Sequence, residues 1–144
     1  MTVPKIAVTD KEIESCFDVL LELRPHLERK TFLSTVKNMQ NQGFNLAYIE
    51  EDSVVVAVAG YRISQNLFMG KNLYVDDLVT SEVSRSKGYG ASLINFLRDM
   101  AVENDCSTLH LDSGTQRHQA HKFYFRNGFT IASYHFSEPV AKSV

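Results

Sequence analysis

The chain has 144 residues, 44% of them hydrophobic, and a formal net charge of -2 at pH 7. That is apolar material for one core, so a single domain is expected over 1–144. The charge gives no electrostatic case for nucleic acid or an anionic membrane, and no apolar run is long enough to span a bilayer.

Met1 to Ile6 lacks the apolar centre of a signal peptide. The two cysteines, Cys16 and Cys106, have no metal-ligand spacing, so both read as reduced thiols of a cytoplasmic protein. Ile6-Ala7-Val8 is a short strand, and Thr9 with Glu12 forms a capping box. Behind it Ile13, Cys16, Phe17, Leu20 and Leu21 make one apolar helix face, which should end before Pro25. Phe32, Leu33, Val36 and Met39 predict a second helix closed by Gly43. Phe44 to Ile49 and Val54 to Ile63 read as a hairpin across the polar turn Glu50 to Ser53. Leu73 to Val79 is the next strand. Leu93, Ile94, Phe96, Leu97, Met100 and Ala101 then follow a helical period that closes near Asn104-Asp105. Thr108 to Asp112 is a strand, His118 to Asn127 a short helix ended by Gly128, and Phe129 to Phe136 a last strand. This order predicts a mixed α/β sheet with helices on both faces.

The segment Arg85-Ser86-Lys87-Gly88-Tyr89-Gly90-Ala91 lies where a strand hands over to the first turn of a helix. Helix N-terminal amides lack internal partners and carry the positive end of the dipole. Gly88 and Gly90 leave those amides bare, and Arg85 and Lys87 add charge, which suits a diphosphate. On the glycines alone, a solvated Gly-rich turn accounts for the pattern equally well. A Rossmann fingerprint would need glycine at Leu93, and a P-loop would need Gly-Lys-Ser/Thr; neither is present.

Arg85-x-x-Gly88-x-Gly90-Ala91 resembles the acyl-CoA signature of the GNAT superfamily of N-acetyltransferases. About thirty residues on, Ala120-His121-Lys122-Phe123-Tyr124-Phe125-Arg126-Asn127-Gly128-Phe129 is similar to that superfamily's later helix, Ala-x-x-x-Tyr-x-x-x-Gly-Phe. The element order agrees over nearly the whole chain. The resemblance implies a GNAT fold, with a mostly antiparallel sheet splayed between the strands ending near Val79 and Asp112. It implies that the backbone at Leu78 and Val79 pairs with the pantetheine arm of acetyl-CoA. Amides from Ser86 through Ala91, with Arg85, would hold the pyrophosphate. Arg117 stands where the family often has asparagine, so it would meet CoA through a guanidinium instead. The resemblance also makes a homodimer one option, and makes Glu22 and His26 candidate contacts for the acceptor.

The chemistry implied is acetyl transfer to a primary amine by direct attack in a ternary complex, since neither motif holds a cysteine. An amine near pKa about 10.4 must lose a proton before it attacks, and a carboxylate is the natural acceptor. Asp76 and Asp77 are adjacent on the central strand, so strict alternation sends them to opposite faces, Asp77 with Leu73, Val75 and Val79. A bulge would break that parity. A backbone N–H near Leu78 or Val79 suits the developing oxyanion, and Tyr124 suits protonation of the leaving thiolate. His110, His118, His121 and Cys106 form no expected zinc site. The rival reading is an acyl-CoA-binding module without catalysis, which would need neither Tyr124 nor the strand acids. A third, a toxin-type enzyme acting on aminoacyl-tRNA, is opposed by the net charge.

Overall fold

The computed structural model describes residues 2–141. The chain divides at Leu111 into two compact units, and the first carries the whole sheet. Its elements are β1 (Lys5–Ile6), α1 (Asp10–Ser15), α2 (Phe17–Leu23), α3 (Arg29–Gln40), β2 (Phe44–Glu51), β3 (Val54–Asn66), β4 (Gly70–Thr80), α4 (Tyr89–Glu103) and β5 (Thr108–Leu111). The strands stand in chain order across the sheet. Every pair is antiparallel except β4 with β5, which is parallel. The expected α/β architecture is therefore the observed one.

Local chemistry sets the element ends. The Thr9 side chain accepts from the Glu12 N–H at 3.1 Å while Glu12 accepts from the Thr9 N–H at 2.9 Å, closing the capping box. The first predicted helix is in fact two, because the chain tightens at Cys16, whose N–H reaches back only to the Ile13 carbonyl. Asp52 and Ser53 join β2 to β3 with φ of 51° and 66°. Two such left-handed residues match the right-handed twist of the strands they connect.

The helices pack on both faces of the sheet. On one side Phe17, Leu20, Phe32 and Val36 from α2 and α3 meet Phe44, Leu46, Val58 and Val79. On the other, Leu93 and Leu97 of α4 meet Ala57, Ala59, Leu73 and Val75. Leu93, Ile94 and Leu97 are wholly buried, each contributing roughly 1.5–3 kcal/mol of transfer free energy. This burial, and not helix propensity, anchors the N-terminus of α4 beside the sheet.

One irregularity in β4 overturns the strict alternation of Asp76 and Asp77. Gly60 pairs with Asp77 but the next residue, Tyr61, pairs with Val75, so Asp76 is an extra residue on β4. Past this bulge the parity inverts. Leu73 and Val75 face α4, whereas Val79 faces α2 and α3. Asp77 follows Val79, and both aspartates bond arginines belonging to the α2 and β3 side of the sheet.

In the second unit, α5 covers His118–Arg126, and Gly128 follows it with φ of 91°. The strand expected from Phe129 to Phe136 is not there: residues 129–141 have no regular structure. Its alternating apolar residues meet no ladder of N–H and C=O partners, and Ile131, Tyr134 and Phe136 are exposed. Alternation describes a side-chain pattern; a strand exists only when a neighbour accepts its backbone bonds.

Candidate active site

The β4–β5 ladder runs from Asn72/Thr108 to Val75/Leu111 and stops. β4 continues to Thr80, held on its other edge by β3. From Asp76 onward the edge of β4 that had faced β5 thus pairs with no strand among the described residues, and Leu78 and Val79 lie in this stretch. The Leu78 side chain packs toward α4 and the Val79 side chain is buried on the opposite face. What they offer at the edge is backbone, the same kind of contact another strand would make.

Past Thr80 the chain makes a short turn at Glu82–Ser84 and enters the glycine loop. Glu22 accepts from the Glu82 N–H at 2.9 Å, so this sequence-flagged acid holds the turn. Ser86 and Gly88 both adopt positive φ, 69° and 83°. Alternating left-handed residues ahead of a helix turn successive N–H groups toward one side, the geometry of an anion nest. Gly88 is the N-cap of α4, and the first intrahelical bond runs from the Ser92 N–H to the Gly88 carbonyl, at 3.0 Å. The amides of Tyr89, Gly90 and Ala91 therefore precede the helix's own bonding. Arg85 and Lys87 are exposed on the same loop, whereas the Tyr89 side chain is buried in the core. Tyr89 therefore offers an anion only its amide. The loop residues thus fit a pyrophosphate: bare N–H groups, a positive dipole end and two cations.

Asp76 and Asp77 are each tied to an arginine that the sequence did not single out. Asp77 Oδ1 accepts from Arg24 Nε at 2.9 Å, and Arg24 Nη2 donates to the Asp76 carbonyl at 2.9 Å. Asp76 accepts from Arg62 Nε at 3.0 Å, and the Arg62 guanidinium stacks 5.3 Å from the Phe44 ring centroid. The Asp77 side chain is only 15% exposed. Burial raises its pKa, and the Arg24 hydrogen bond and charge offset only part of that rise. Arg24 lies 53 residues before Asp77 and ends α2, so no spacing rule could have joined them.

Asp77 also lines a cavity of about 300 Å³ under α2 and α3. Leu20, Phe32, Val36, Met39 and Phe44 form its apolar wall, and Arg24 stands with Asp77 at the charged side. His26, flagged from the sequence, lines it too and is exposed. Gly60 sits under this corner: a Cβ there would lie 2.6 Å from both Asp77 Oδ2 and Phe44 Cζ. Glycine is thus required for Asp77 and Phe44 to close on β3. The cavity lining holds no cysteine, and burial pushes the Cys16 thiol up to about 12.

In the second unit Tyr124 is half-buried on α5, edge-on to Phe123 and Phe129 at centroid distances of 5.5 and 5.7 Å. Burial raises its phenol pKa, and the charge of Arg117 pulls it partly back. Arg117 is exposed at the N-cap of α5.

A strand edge left open halfway and an anion nest at the following helix suit a class of enzyme: acyltransferases that take their acyl group from coenzyme A. The chain belongs to the GNAT acetyltransferase family, whose model matches residues 10–129. It is 33% identical over 138 residues to YhdJ, an uncharacterized N-acetyltransferase of Bacillus subtilis, covering 94% of this chain and 97% of that one. Among solved structures it resembles aminoglycoside acetyltransferase AAC(6')-Iy bound to a CoA–acetylneamine bisubstrate analogue, with a TM-score of 0.86, 12% identity and 99% of each chain covered. Glucosamine-6-phosphate N-acetyltransferase of Arabidopsis thaliana superposes with a TM-score of 0.77 at 20% identity, over 96% of this chain and 99% of that one. This protein is accordingly an acetyl-CoA-dependent N-acetyltransferase.

Proposed function

We propose that the protein transfers the acetyl group of acetyl-CoA to a primary amine by direct attack, with Asp77 as the proton acceptor. The supporting observation is the position of Asp77: it lies two residues past Val75, where β5 leaves β4, and it lines a cavity. At pH 7 only roughly one amine in two thousand is neutral when its pKa is about 10.4, so removing the proton is a real barrier. A carboxylate whose proton affinity burial has raised takes that proton better than an ordinary surface aspartate. Asp76 is locked to Arg62 and does not line the cavity, so we assign it to holding the bulge.

Acetyl-CoA supplies an activated thioester. The nest from Ser86 to Ala91, with Arg85 and Lys87, binds and orients its phosphates, and the Leu78–Val79 backbone holds the pantetheine arm and donates to the carbonyl oxygen. Arg117 is assigned to the coenzyme by the same family pattern. Tyr124 donates its phenolic proton to the departing thiolate, a role that its raised pKa suits because the proton is still present at neutral pH. A thiol held near 12 at Cys16 supports direct attack over an acyl-enzyme route. The family match, over residues 10–129, crosses Leu111, which supports 1–144 acting as one catalytic domain.

The test is thiol release from acetyl-CoA across a panel of amines. Asp77→Asn should lower kcat/KM by about 10²-fold and remove the acidic limb of its pH profile. An unchanged pH profile in the variant would take Asp77 out of the chemistry.

A further inference from the structure

We infer that the acceptor is a small primary monoamine whose remaining body is apolar, an alkyl or aryl chain of about ten non-hydrogen atoms or fewer. The inference rests on the reading of Asp77 as the acceptor-side base and deepens it. Three observations carry it: the size of the cavity, the chemistry of its wall, and the way the charges of Asp77 and Arg24 are already matched.

A volume of about 300 Å³ holds about ten non-hydrogen atoms, at about 30 Å³ each in a liquid. A whole amino sugar, at about twelve non-hydrogen atoms, exceeds that space, and its hydroxyls would face Leu20, Phe32, Val36 and Met39 without partners. Buried hydroxyls without partners are strongly disfavoured. The polar side chains of the lining are Arg24, His26, Thr35 and Asp77. Arg24 and Asp77 bond each other, so their charges cancel locally. One ammonium arriving at Asp77 keeps a carboxylate beside it. A second cation deeper in the cavity would meet the hydrocarbon wall with no acid in the lining besides Asp77, and Arg24 would repel it. This argues against diamines and polyamines, although acids elsewhere on the surface are plentiful. A peptide amine meets the same obstacle, because its main-chain N–H and C=O groups would enter a wall that offers few partners.

The experiment is a matched acceptor series with the full-length protein and saturating acetyl-CoA, read as thiol release. Hexylamine and cadaverine have equal length and differ by a methyl exchanged for an ammonium. Phenethylamine, glucosamine and the peptide Leu-Ala-Gly complete the set. Hexylamine and phenethylamine should exceed the other three in kcat/KM by about 10²-fold or more. Met39→Trp, which fills the cavity, should raise KM for hexylamine at least about tenfold. Val36→Ala, which enlarges it, should move the optimum to longer chains. Retained far-UV circular dichroism and CoA affinity show that each variant is folded. Calorimetric titration of hexylamine into the CoA-saturated protein adds a readout free of turnover.

A preference for cadaverine, glucosamine or the peptide, or a flat profile, overturns the inference while the acetyltransferase reading stands. Hexylamine binding that Met39→Trp abolishes, without thiol release for any amine, keeps the cavity assignment and overturns the role of Asp77. If the apolar amines neither bind nor turn over, the inference is overturned.

Discussion

Gly60→Ala is the most demanding test of the corner in which Asp77 sits. The added Cβ would lie 2.6 Å from Asp77 Oδ2, 2.6 Å from Phe44 Cζ and 2.8 Å from Phe44 Cε1. Ordinary contact between such atoms is about 3.5–4.0 Å, so the carboxylate, the ring or the strand must move by roughly 1 Å. The ring cannot move freely, because Arg62 stacks on it and it forms part of the cavity wall. Nor can the carboxylate move without breaking its 2.9 Å bond to Arg24. Overpacking of this kind costs about 1–3 kcal/mol, a fall in Tm of roughly 3–10 °C for a domain of this size. A reacting group displaced by about 1 Å loses about 10²-fold in rate. Differential scanning calorimetry and kcat/KM for the best amine measure the two effects together. Adding Phe44→Leu should return part of the lost Tm, because the two sites share one space and their effects do not add. A Gly60→Ala protein with unaltered Tm and kcat/KM would refute the proposed stacking of Asp77 and Phe44 on β3.

The remaining expectations concern charge and proton transfer. Arg24→Met removes the partner that lowers the pKa of Asp77, so the acidic limb of kcat/KM should move to higher pH. Denaturant titration should show a loss of about 1–3 kcal/mol, the lower part of the range for a broken buried pair because Arg24 is half-exposed. Tyr124→Phe should lower turnover by about 10²-fold or more with little change in acetyl-CoA affinity; unchanged steady-state turnover would remove the phenol from the mechanism. Glu12 is held at about 2, first by the Thr9 and Val8 amides and then by the Tyr48 hydroxyl, which donates to it at 3.0 Å. A depressed acid stabilises the fold above its unfolded pKa, here the ordinary 4.5, and that stability is lost as pH falls toward about 2. Glu12→Gln should flatten the acid limb of a Tm-against-pH curve across that window.

The parts that could be read in advance were those where local chemistry decides the conformation. Thr9 and Glu12 form their box because the bonds span one turn. Gly88 takes φ of 83° at the start of α4, as expected where a glycine opens a helix. The period from Leu93 to Ala101 identified the buried face of α4 because a helix repeats its environment. Phe129 to Phe136 shows the limit: an alternating pattern names the residues that would face a core, yet it supplies no neighbouring strand. The pairing of Asp76 with Arg62 and Asp77 with Arg24 was equally invisible, since the partners are 14 and 53 residues away.

Sequence made the class of chemistry legible only through a resemblance carried by two motifs in order, Arg85 to Ala91 and Ala120 to Phe129; the glycines alone fitted a solvated turn equally well. The tertiary structure decided which aspartate lines the cavity under α2 and α3. One extra residue in β4 inverts the parity of everything after Val75, and a bulge arises from how two strands meet, not from either strand's own residues. The apolar character of the cavity was settled in the same way: Leu20, Phe32 and Met39 are ordinary core residues in their own helices until α2 and α3 come together over Asp77.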